Sequence, residues 1–383
     1  MKIVADENIP CVEQAFSTLG DVTLVSGREL QAGQVRAADV LLVRSVTRVG
    51  AELLEGSRVR FVGSATIGFD HVDLDYLETN NIGFSTAPGS NAISAAEYVV
   101  SALLALSERQ QFELAHKTIG IIGYGNVGSR VRRMLGALGV ECLVNDPPLQ
   151  EQGGVQEFVG LDEILGTDII TLHVPLTHTG RYPTFHLVDE AFMKRLRPHT
   201  ILVNTARGAA VDNRALERLL EGRPDLSVVL DVWEGEPAID IALLQKVALG
   251  TPHIAGYSLD GKMRGTEMVY RAVCAHFGLA GPWQAADNLP AGQSLDLAAT
   301  TDTDPDACLR RVVFNSYDIR HDDRRLRELL SLEPAERAGY FDRLRKEYPL
   351  RREFSETTLR LGRPQATLRP VFEGLGFKVL SGD

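Results

Sequence analysis

The sequence predicts an α/β protein with two doubly wound parallel sheets, followed by a small C-terminal α+β domain. Short apolar runs recur along most of the chain, and stretches long enough for helices separate them. This alternation is typical of parallel sheets covered by helices on both faces. After a link with Pro and Gly at 289–292, the sequence becomes rich in arginine and the alternation stops.

The first sheet is predicted from apolar runs at 3–5, 40–43 and 59–63. A long helix follows the Pro88-Gly89 break, because apolar residues then recur three and four positions apart up to 106. Either Asn91 or Ser94 could cap this helix. The second sheet has a helix predicted at 127–138 and strands predicted at 119–122, 142–145, 168–172, 200–203 and 228–231. The tail has helical patterns at 322–331 and 334–347 and a possible strand at 377–380.

Composition and charge exclude several classes of protein. The net charge of −11 disfavours non-specific nucleic-acid binding. No apolar run approaches the ~18 residues of a membrane-spanning helix. The four cysteines are far apart and form no metal-ligand pair. We therefore expect reduced thiols in a cytoplasmic protein that binds no metal, nucleic acid or membrane.

A glycine-rich turn indicates a dinucleotide site. Gly123, Gly125 and Gly128 have Gly-x-Gly-x-x-Gly spacing, after an apolar strand and before a helical pattern. Glycines allow a tight turn and close approach of the backbone to a pyrophosphate, which the helix N-terminus then binds. Asp146 ends the next strand, where a carboxylate binds the ribose hydroxyls of NAD and repels the 2′-phosphate of NADP. The predicted cofactor is therefore NAD.

Three further residues follow predicted strands or strand-like runs and are suited to acid–base chemistry on a hydroxy acid. Arg207 can bind a carboxylate through two hydrogen bonds. His253 can move the proton of an alcohol, since histidine is the side chain most often used for proton transfer. Glu236 can orient the imidazole and favour its protonated form. Each residue alone is more often structural, but the ordered set beside a dinucleotide motif predicts hydride transfer at a 2-hydroxy acid.

These motifs resemble the D-isomer-specific 2-hydroxyacid dehydrogenase family over roughly residues 1–285. The matching stretches are 123–128, 202–208, 231–237 and 252–256. The resemblance implies a flavodoxin-like substrate domain (1–93 plus 257–285) and a Rossmann-type NAD domain (94–256). It makes Arg207, Glu236 and His253 catalytic. The implied cofactor-binding residues are Gly123, Gly125, Asn126, Val127, Gly128, Asp146, Val174, Pro175, Thr205, Ala206, Asp231 and Gly256.

Within the family, the runs at 3–10, 44–47 and 63–71 and the added tail resemble the members that oxidise 4-phospho-D-erythronate in vitamin B6 synthesis. This resemblance implies a homodimer formed through a C-terminal domain at 286–383. The implied substrate-binding residues are Arg44, Ser45, Thr66, Arg207 and Tyr257.

Two other functions stay open on the sequence. The chain could be another dehydrogenase of the family, such as one that acts on 3-phosphoglycerate. It could also be a non-enzymatic NAD-sensing protein similar to transcriptional corepressors. The neutral tail carries five candidate cations that could reach the phosphate site of a neighbouring subunit or form a solvated helix face: Arg343, Arg345, Lys346, Arg351 and Arg352.

Overall fold

A computed structural model describes residues 1–154, 156–297 and 304–380 of the chain. It divides into two compact units, one formed by 1–92 with 258–291 and the other by 93–257 with 292–383. Each unit contains a parallel sheet whose strands alternate with helices along the chain. None of the helices in the described residues is both long and apolar enough to cross a membrane.

The first unit has a five-stranded parallel sheet in the order β2-β1-β3-β4-β5. This is the flavodoxin-like order, which confirms the predicted class of the sheet. The successive elements are β1 (Lys2–Asp6), α1 (Val12–Phe16), β2 (Asp21–Val25), α2 (Ala32–Val35), β3 (Val40–Val43), α3 (Ala51–Leu54), β4 (Phe61–Ser64), α4 (Leu74–Thr79) and β5 (Gly83–Ser85).

The second unit opens with α5 (Ala92–Gln110), so Asn91 rather than Ser94 stands immediately before this helix. Ser94 is buried inside it. The elements that follow are β6 (Thr118–Ile122), α6 (Asn126–Ala137), β7 (Glu141–Asn145), α7 (Pro147–Gln152), α8 (Leu161–Leu165), β8 (Ile169–Leu172), α9 (Glu190–Lys194), β9 (Ile201–Asn204), α10 (Asn213–Gly222), β10 (Ser227–Leu230), α11 (Ile241–Lys246) and β11 (Leu249–Gly250).

The six strands of this second sheet are all parallel, in the order β7-β6-β8-β9-β10-β11. β7 lies on one side of β6, and β8, β9, β10 and β11 follow on the other side. The order in which the chain adds strands therefore reverses between β6 and β8. In an open α/β sheet, ligands bind beyond the carboxyl ends of the strands at such a reversal. The Rossmann-type sheet is thus confirmed, and its carboxyl edge is where a ligand is expected.

The chain then returns to the first unit as α12 (Leu259–Phe277). Ser258 caps this helix by accepting a hydrogen bond from the Gly261 N–H at 2.9 Å. The buried face of α12 packs on the first sheet, where Tyr270 meets Phe16 edge to face with ring centroids 5.3 Å apart. The apolar face of α12 therefore completes the core of this unit.

The tail forms a three-stranded sheet in the order β12-β13-β14, with every pair parallel. The predicted helix at 334–347 and the predicted final strand are confirmed, while the helix expected at 322–331 begins and ends earlier. The elements are β12 (Gln293–Asp296), α13 (Pro305–Ser316), α14 (Ile319–Arg327), α15 (Pro334–Lys346), β13 (Thr357–Arg360), α16 (Arg369–Leu375) and β14 (Lys378–Leu380).

The apolar core of the tail is continuous with that of the second sheet. Phe372 and Val312 are fully buried in the same cluster as Leu103 of α5. Helix α16 lies so close to α6 that a Cβ on Gly374 would stand 2.4 Å from the Cβ of Ala137. The tail and residues 93–257 therefore form one unit, and the boundary predicted at 286 stays a prediction.

Candidate active site

The three predicted catalytic residues follow three adjacent strands of the second sheet. Arg207 comes after β9, Glu236 after β10 and His253 after β11. Because parallel strands end at the same edge, their side chains are brought to one side of the sheet. The sequence positions are up to 46 residues apart, but the sheet order β11-β10-β9 makes the strands neighbours.

His253 and Glu236 form a direct pair. Nδ1 of His253 lies 2.8 Å from Oε2 of Glu236, and the two side chains are 35% and 19% exposed. The other oxygen of Glu236 accepts a hydrogen bond from the Trp233 N–H at 2.7 Å. The carboxylate is therefore fixed by the backbone on one side and orients the imidazole on the other.

Electrostatics keep this carboxylate ionised. Burial would raise the pKa of Glu236, but the charge of His253 and hydrogen bonds from His253 and the Trp233 N–H bring this pKa below its ordinary value. The charge of Arg345 adds a smaller effect in the same direction. A carboxylate that stays charged can stabilise an imidazolium beside it, as the predicted acid–base role of His253 requires.

Asp231 holds the loop that carries His253. Its carboxylate accepts hydrogen bonds from Thr251 Oγ1 at 2.7 Å, the Ile254 N–H at 2.7 Å and the Ala255 N–H at 2.9 Å. The backbone N–H of His253 donates to the Asp231 carbonyl at 2.7 Å. The side chain is buried, and the burial raises its pKa. Asp231 thus has an observed structural role, and its contact with nicotinamide stays a prediction.

Arg207 stands in a turn that Asn204 closes. The side-chain amide of Asn204 donates to the Arg207 carbonyl at 3.0 Å and accepts from the Ala206 N–H at 3.0 Å. Gly208 follows, and a Cβ there would lie 2.1 Å from the backbone of Trp233. Only glycine therefore allows the Arg207 turn to approach the Glu236 segment this closely.

The glycine turn has the geometry that a pyrophosphate needs. Gly123 has a φ of 91°, and a Cβ on Gly128 would stand 2.0 Å from the Gly123 carbonyl oxygen. Helix α6 begins directly after Gly125, around which a Cβ would meet nothing within 4 Å. The turn is thus closed toward the protein and open at the helix N-terminus, as NAD binding requires.

Asp146 lies beside this turn at the end of β7. One carboxylate oxygen accepts from the Tyr124 N–H at 2.7 Å, and the other caps α7 by accepting from the Leu149 N–H at 3.0 Å. Each oxygen retains a further lone pair, so the carboxylate can still accept from ribose hydroxyls. The sheet order places β7 next to β6, which explains why Asp146 and the glycine turn meet.

The remaining predicted cofactor residues also follow strands of this sheet. Val174 and Pro175 come after β8, Thr205 and Ala206 after β9, and Gly256 after β11. Asn126 and Val127 form the first turn of α6. The roles of all the predicted site residues in binding stay predictions.

Sequence reasoning missed His173, which lies between β8 and Val174. Its ring contacts two threonines, with Nε2 3.0 Å from Thr171 Oγ1 and Nδ1 3.1 Å from Thr205 Oγ1. Burial lowers the pKa of His173 to about 3, so the ring is neutral. The ring ties the end of β8 to the predicted cofactor residue Thr205. A histidine directly after a buried strand was the signal available in the sequence.

Three of the predicted substrate residues lie in the first unit. Arg44 and Ser45 come directly after β3, and Thr66 follows β4. Thr66 Oγ1 is 2.7 Å from Ser64 Oγ, and an Arg44 Nη donates to the Asn8 carbonyl at 3.3 Å. These three residues therefore stand at the carboxyl edge of their own sheet. Arg207 and Tyr257 belong to the second unit.

The tail contacts the loop of His253 in the same chain. One Arg351 Nη donates to the Ala255 carbonyl at 3.1 Å, and the other donates to the Ser94 carbonyl at 2.7 Å and lies 3.3 Å from Oε2 of Glu97. The Arg351 guanidinium also lies 3.6 Å from the centroid of the Tyr317 ring. Arg351 is 5% exposed. A buried tail arginine therefore anchors the loop that carries His253, the predicted acid–base residue.

Residues 84–255 match the family described as the D-isomer specific 2-hydroxyacid dehydrogenase, NAD binding domain. Residues 288–371 match a domain of unknown function. Among solved structures, the chain is similar to D-lactate dehydrogenase from Aquifex aeolicus in complex with NAD and lactic acid. The identity is 26%, the TM-score is 0.59, and the match covers 73% of this chain and 96% of the other.

The chain belongs to the D-isomer-specific 2-hydroxyacid dehydrogenase family and is an NAD-dependent oxidoreductase. Its full-length relatives include two proteins named erythronate-4-phosphate dehydrogenase. The protein from Hahella chejuensis is 48% identical over 100% of both chains, and that from Chromohalobacter salexigens is 49% identical over 99% of both. This similarity includes the tail, whereas the D-lactate dehydrogenase match covers 73% of this chain.

Proposed function

We propose that the protein oxidises 4-phospho-D-erythronate with NAD to 2-oxo-3-hydroxy-4-phosphobutanoate, a step of vitamin B6 biosynthesis. The observation that carries this proposal is the similarity along the whole chain, tail included, to erythronate-4-phosphate dehydrogenases. The chemistry is supported by the pair of His253 and Glu236. These residues follow β11 and β10, and Arg207 follows β9, the other neighbour of β10.

In this mechanism Arg207 binds the substrate carboxylate and positions C2 of the hydroxy acid. Because Nδ1 of His253 faces Glu236, Nε2 is the atom that takes the proton from the C2 hydroxyl. The charge of Glu236 stabilises the resulting imidazolium. Bound NAD supplies the hydride acceptor, held by the glycine turn and Asp146. The C2–H and O–H bonds break, and the C2 carbonyl forms.

The phosphate requires donors other than Arg207. The candidates in the first unit are Arg44, Ser45 and Thr66, at the ends of β3 and β4. We propose that these three side chains help to distinguish a phosphorylated four-carbon acid from smaller hydroxy acids, because phosphate oxygens accept several strong hydrogen bonds.

Identification of the product tests this function. The enzyme is incubated with NAD and 4-phospho-D-erythronate, and the product is trapped with a carbonyl reagent and analysed by mass spectrometry. The proposal expects the adduct of an acid with two hydrogens fewer than the substrate, formed together with one equivalent of NADH. Fragmentation that places the new carbonyl at a carbon other than C2 would contradict the proposal.

We also propose a cytoplasmic homodimer that pairs through residues 286–383. All four cysteines are free thiols, in keeping with a reducing compartment. Leu350 and Leu380 of the tail are 68% and 49% exposed, as expected of side chains that a second subunit covers. Sedimentation of Leu350→Arg should show a shift toward monomer, whereas Leu279→Arg, in the first unit, should leave the association unchanged. A monomeric wild-type chain would contradict the dimer.

A further inference from the structure

Arg345 of the tail lies beside two residues of the candidate active site. It stands near the end of α15, with its guanidinium carbon 5.9 Å from the centroid of the Tyr257 ring. Its charge interacts with the Tyr257 hydroxyl and with Glu236, the partner of His253. This contact is made within one unit of the same chain. Arg345 therefore contributes a positive charge from the tail to the candidate site that contains His253 and Glu236.

The hydrogen-bonding capacity of Arg345 is not fully used. Its Nε is buried and makes no hydrogen bond with any of the described residues. Both oxygens of Glu236 already have partners, namely the Trp233 N–H and His253. A buried donor without a partner is costly, so a site with such a donor is prepared for an acceptor that comes from outside the chain.

The other tail cations have different roles. Arg351 binds Ala255 and Glu97, and Arg352 pairs with Glu356 at 3.0 Å. Arg343 is exposed and lies 5.0 Å from the centroid of the Tyr340 ring, while Lys346 is also exposed. Arg345, by contrast, is partly buried, lies 5.9 Å from the centroid of the Tyr257 ring and interacts electrostatically with Glu236.

We propose that Arg345 binds the phosphate of the hydroxy acid in its own chain's active site and thereby sets specificity for a phosphorylated substrate. The inference rests on the proposed function and deepens it. A guanidinium presents its donors in a planar fork that matches phosphate, and the Tyr257 hydroxyl is beside it to add a further hydrogen bond. Arg207 remains assigned to the carboxylate, so the two anionic groups of the substrate have separate cations.

Paired substrates test this assignment. Arg345→Gln and Arg345→Lys are compared with wild type on 4-phospho-D-erythronate and on unphosphorylated D-erythronate. We expect kcat/KM for the phosphorylated acid to fall by about 10- to 100-fold in Arg345→Gln, mainly through KM, because a charged hydrogen bond is lost. Arg345→Lys should recover part of this loss. The loss with D-erythronate should be much smaller than the loss with the phosphorylated acid, and Arg343→Ala, on the same helix, serves as the matched control.

A binding measurement separates this proposal from the function on which it rests. Calorimetric titration of the NAD-loaded enzyme with inorganic phosphate should give weaker binding in Arg345→Gln than in wild type and Arg343→Ala, at equal melting temperatures. Unchanged phosphate affinity would overturn the proposal. So would an equal loss on both acids with an altered pH profile, since Arg345 would then act only through Glu236. Failure of wild type to oxidise 4-phospho-D-erythronate would refute the function and leave the phosphate titration to decide the role of Arg345.

Discussion

Oε2 of Glu236 lies 2.8 Å from Nδ1 of His253, while Oε1 of the same carboxylate accepts the Trp233 N–H. One oxygen of the Glu236 carboxylate is thus hydrogen-bonded to the backbone, and the other is hydrogen-bonded to the imidazole. This arrangement fixes the ring and leaves its second nitrogen for the substrate. We therefore predict that Glu236 acts by positioning the ring and that His253 is the catalytic residue.

Replacing His253 by Asn should lower kcat by about 10²- to 10⁴-fold, because no group is left to take the hydroxyl proton. The affinity for NAD, measured by fluorescence titration, should stay near that of wild type, since the predicted NAD contacts are unaltered. His321→Asn replaces an exposed tail histidine and serves as the control. Near-normal turnover in His253→Asn would refute the catalytic assignment.

Replacing Glu236 by Gln should alter the pH profile as well as the rate. The amide removes a negative charge beside the imidazole, so the rise of kcat/KM for oxidation should move to lower pH. The plateau should fall by about 10- to 100-fold because the ring is less well oriented. Glu234→Gln is the matched control, since Glu234 pairs with His186 at 2.8 Å. A rate loss without a shift in the profile would exclude the electrostatic role.

Replacing Asp146 by Asn should relax the preference for NAD over NADP. Asparagine retains the ability to cap α7 but lacks the charge that repels a 2′-phosphate. We expect the ratio of kcat/KM for NADP to that for NAD to rise about tenfold. Asp189→Asn provides a control for capping, because Asp189 accepts the Phe192 N–H at the start of α9. An unchanged ratio would remove Asp146 from cofactor selection.

A buried acid should make the stability of the second unit depend on pH. Glu97 is fully buried and accepts the Phe354 N–H at 2.6 Å. Burial raises its pKa to about 8 from an ordinary 4.5; Arg351 opposes this shift and the buried Glu353 adds to it. The folded state therefore holds the proton more tightly than the unfolded chain. Protonation of Glu97 therefore raises the free energy of unfolding by on the order of a few kcal/mol relative to high pH. This contribution is complete below pH 4.5 and is lost as the pH rises through about 8.

Urea unfolding at both ends of this pH range measures the effect. Glu97→Gln should be less sensitive to rising pH than wild type, because its amide cannot ionise. Glu108→Gln lies on the same helix, where Glu108 pairs with Arg320 at the surface, and should behave as wild type. The same pH dependence in Glu97→Gln and wild type would show that another group is responsible.

The sequence was sufficient to predict the parts of the site that depend on local structure. The glycine turn follows from the conformational freedom of glycine between a strand and a helix, and Asp146 from its position at the end of the next strand. Arg207 and His253 were predictable because each follows a strand. Their proximity depends on sheet order, which the family resemblance implied and spacing alone could not give.

The contributions of the tail could not be predicted in the same way. Arg351 and Ala255 are 96 positions apart, and their hydrogen bond depends on how the core of the tail joins that of the second sheet. The arginine-rich pattern identified Arg345 and Arg351 only as members of a group of cations. Burial, which the structure provides, separates these two side chains from the exposed Arg343.

The most direct test of the account is the initial rate of NADH formation with 4-phospho-D-erythronate, 3-phospho-D-glycerate, D-glycerate and D-lactate, each with NAD or NADP. The account predicts a strong preference for the four-carbon phosphate with NAD. Preferential oxidation of 3-phospho-D-glycerate would keep the catalytic residues and contradict the substrate. No turnover of any of these acids by an NAD-binding protein would contradict the central claim that this chain is a dehydrogenase.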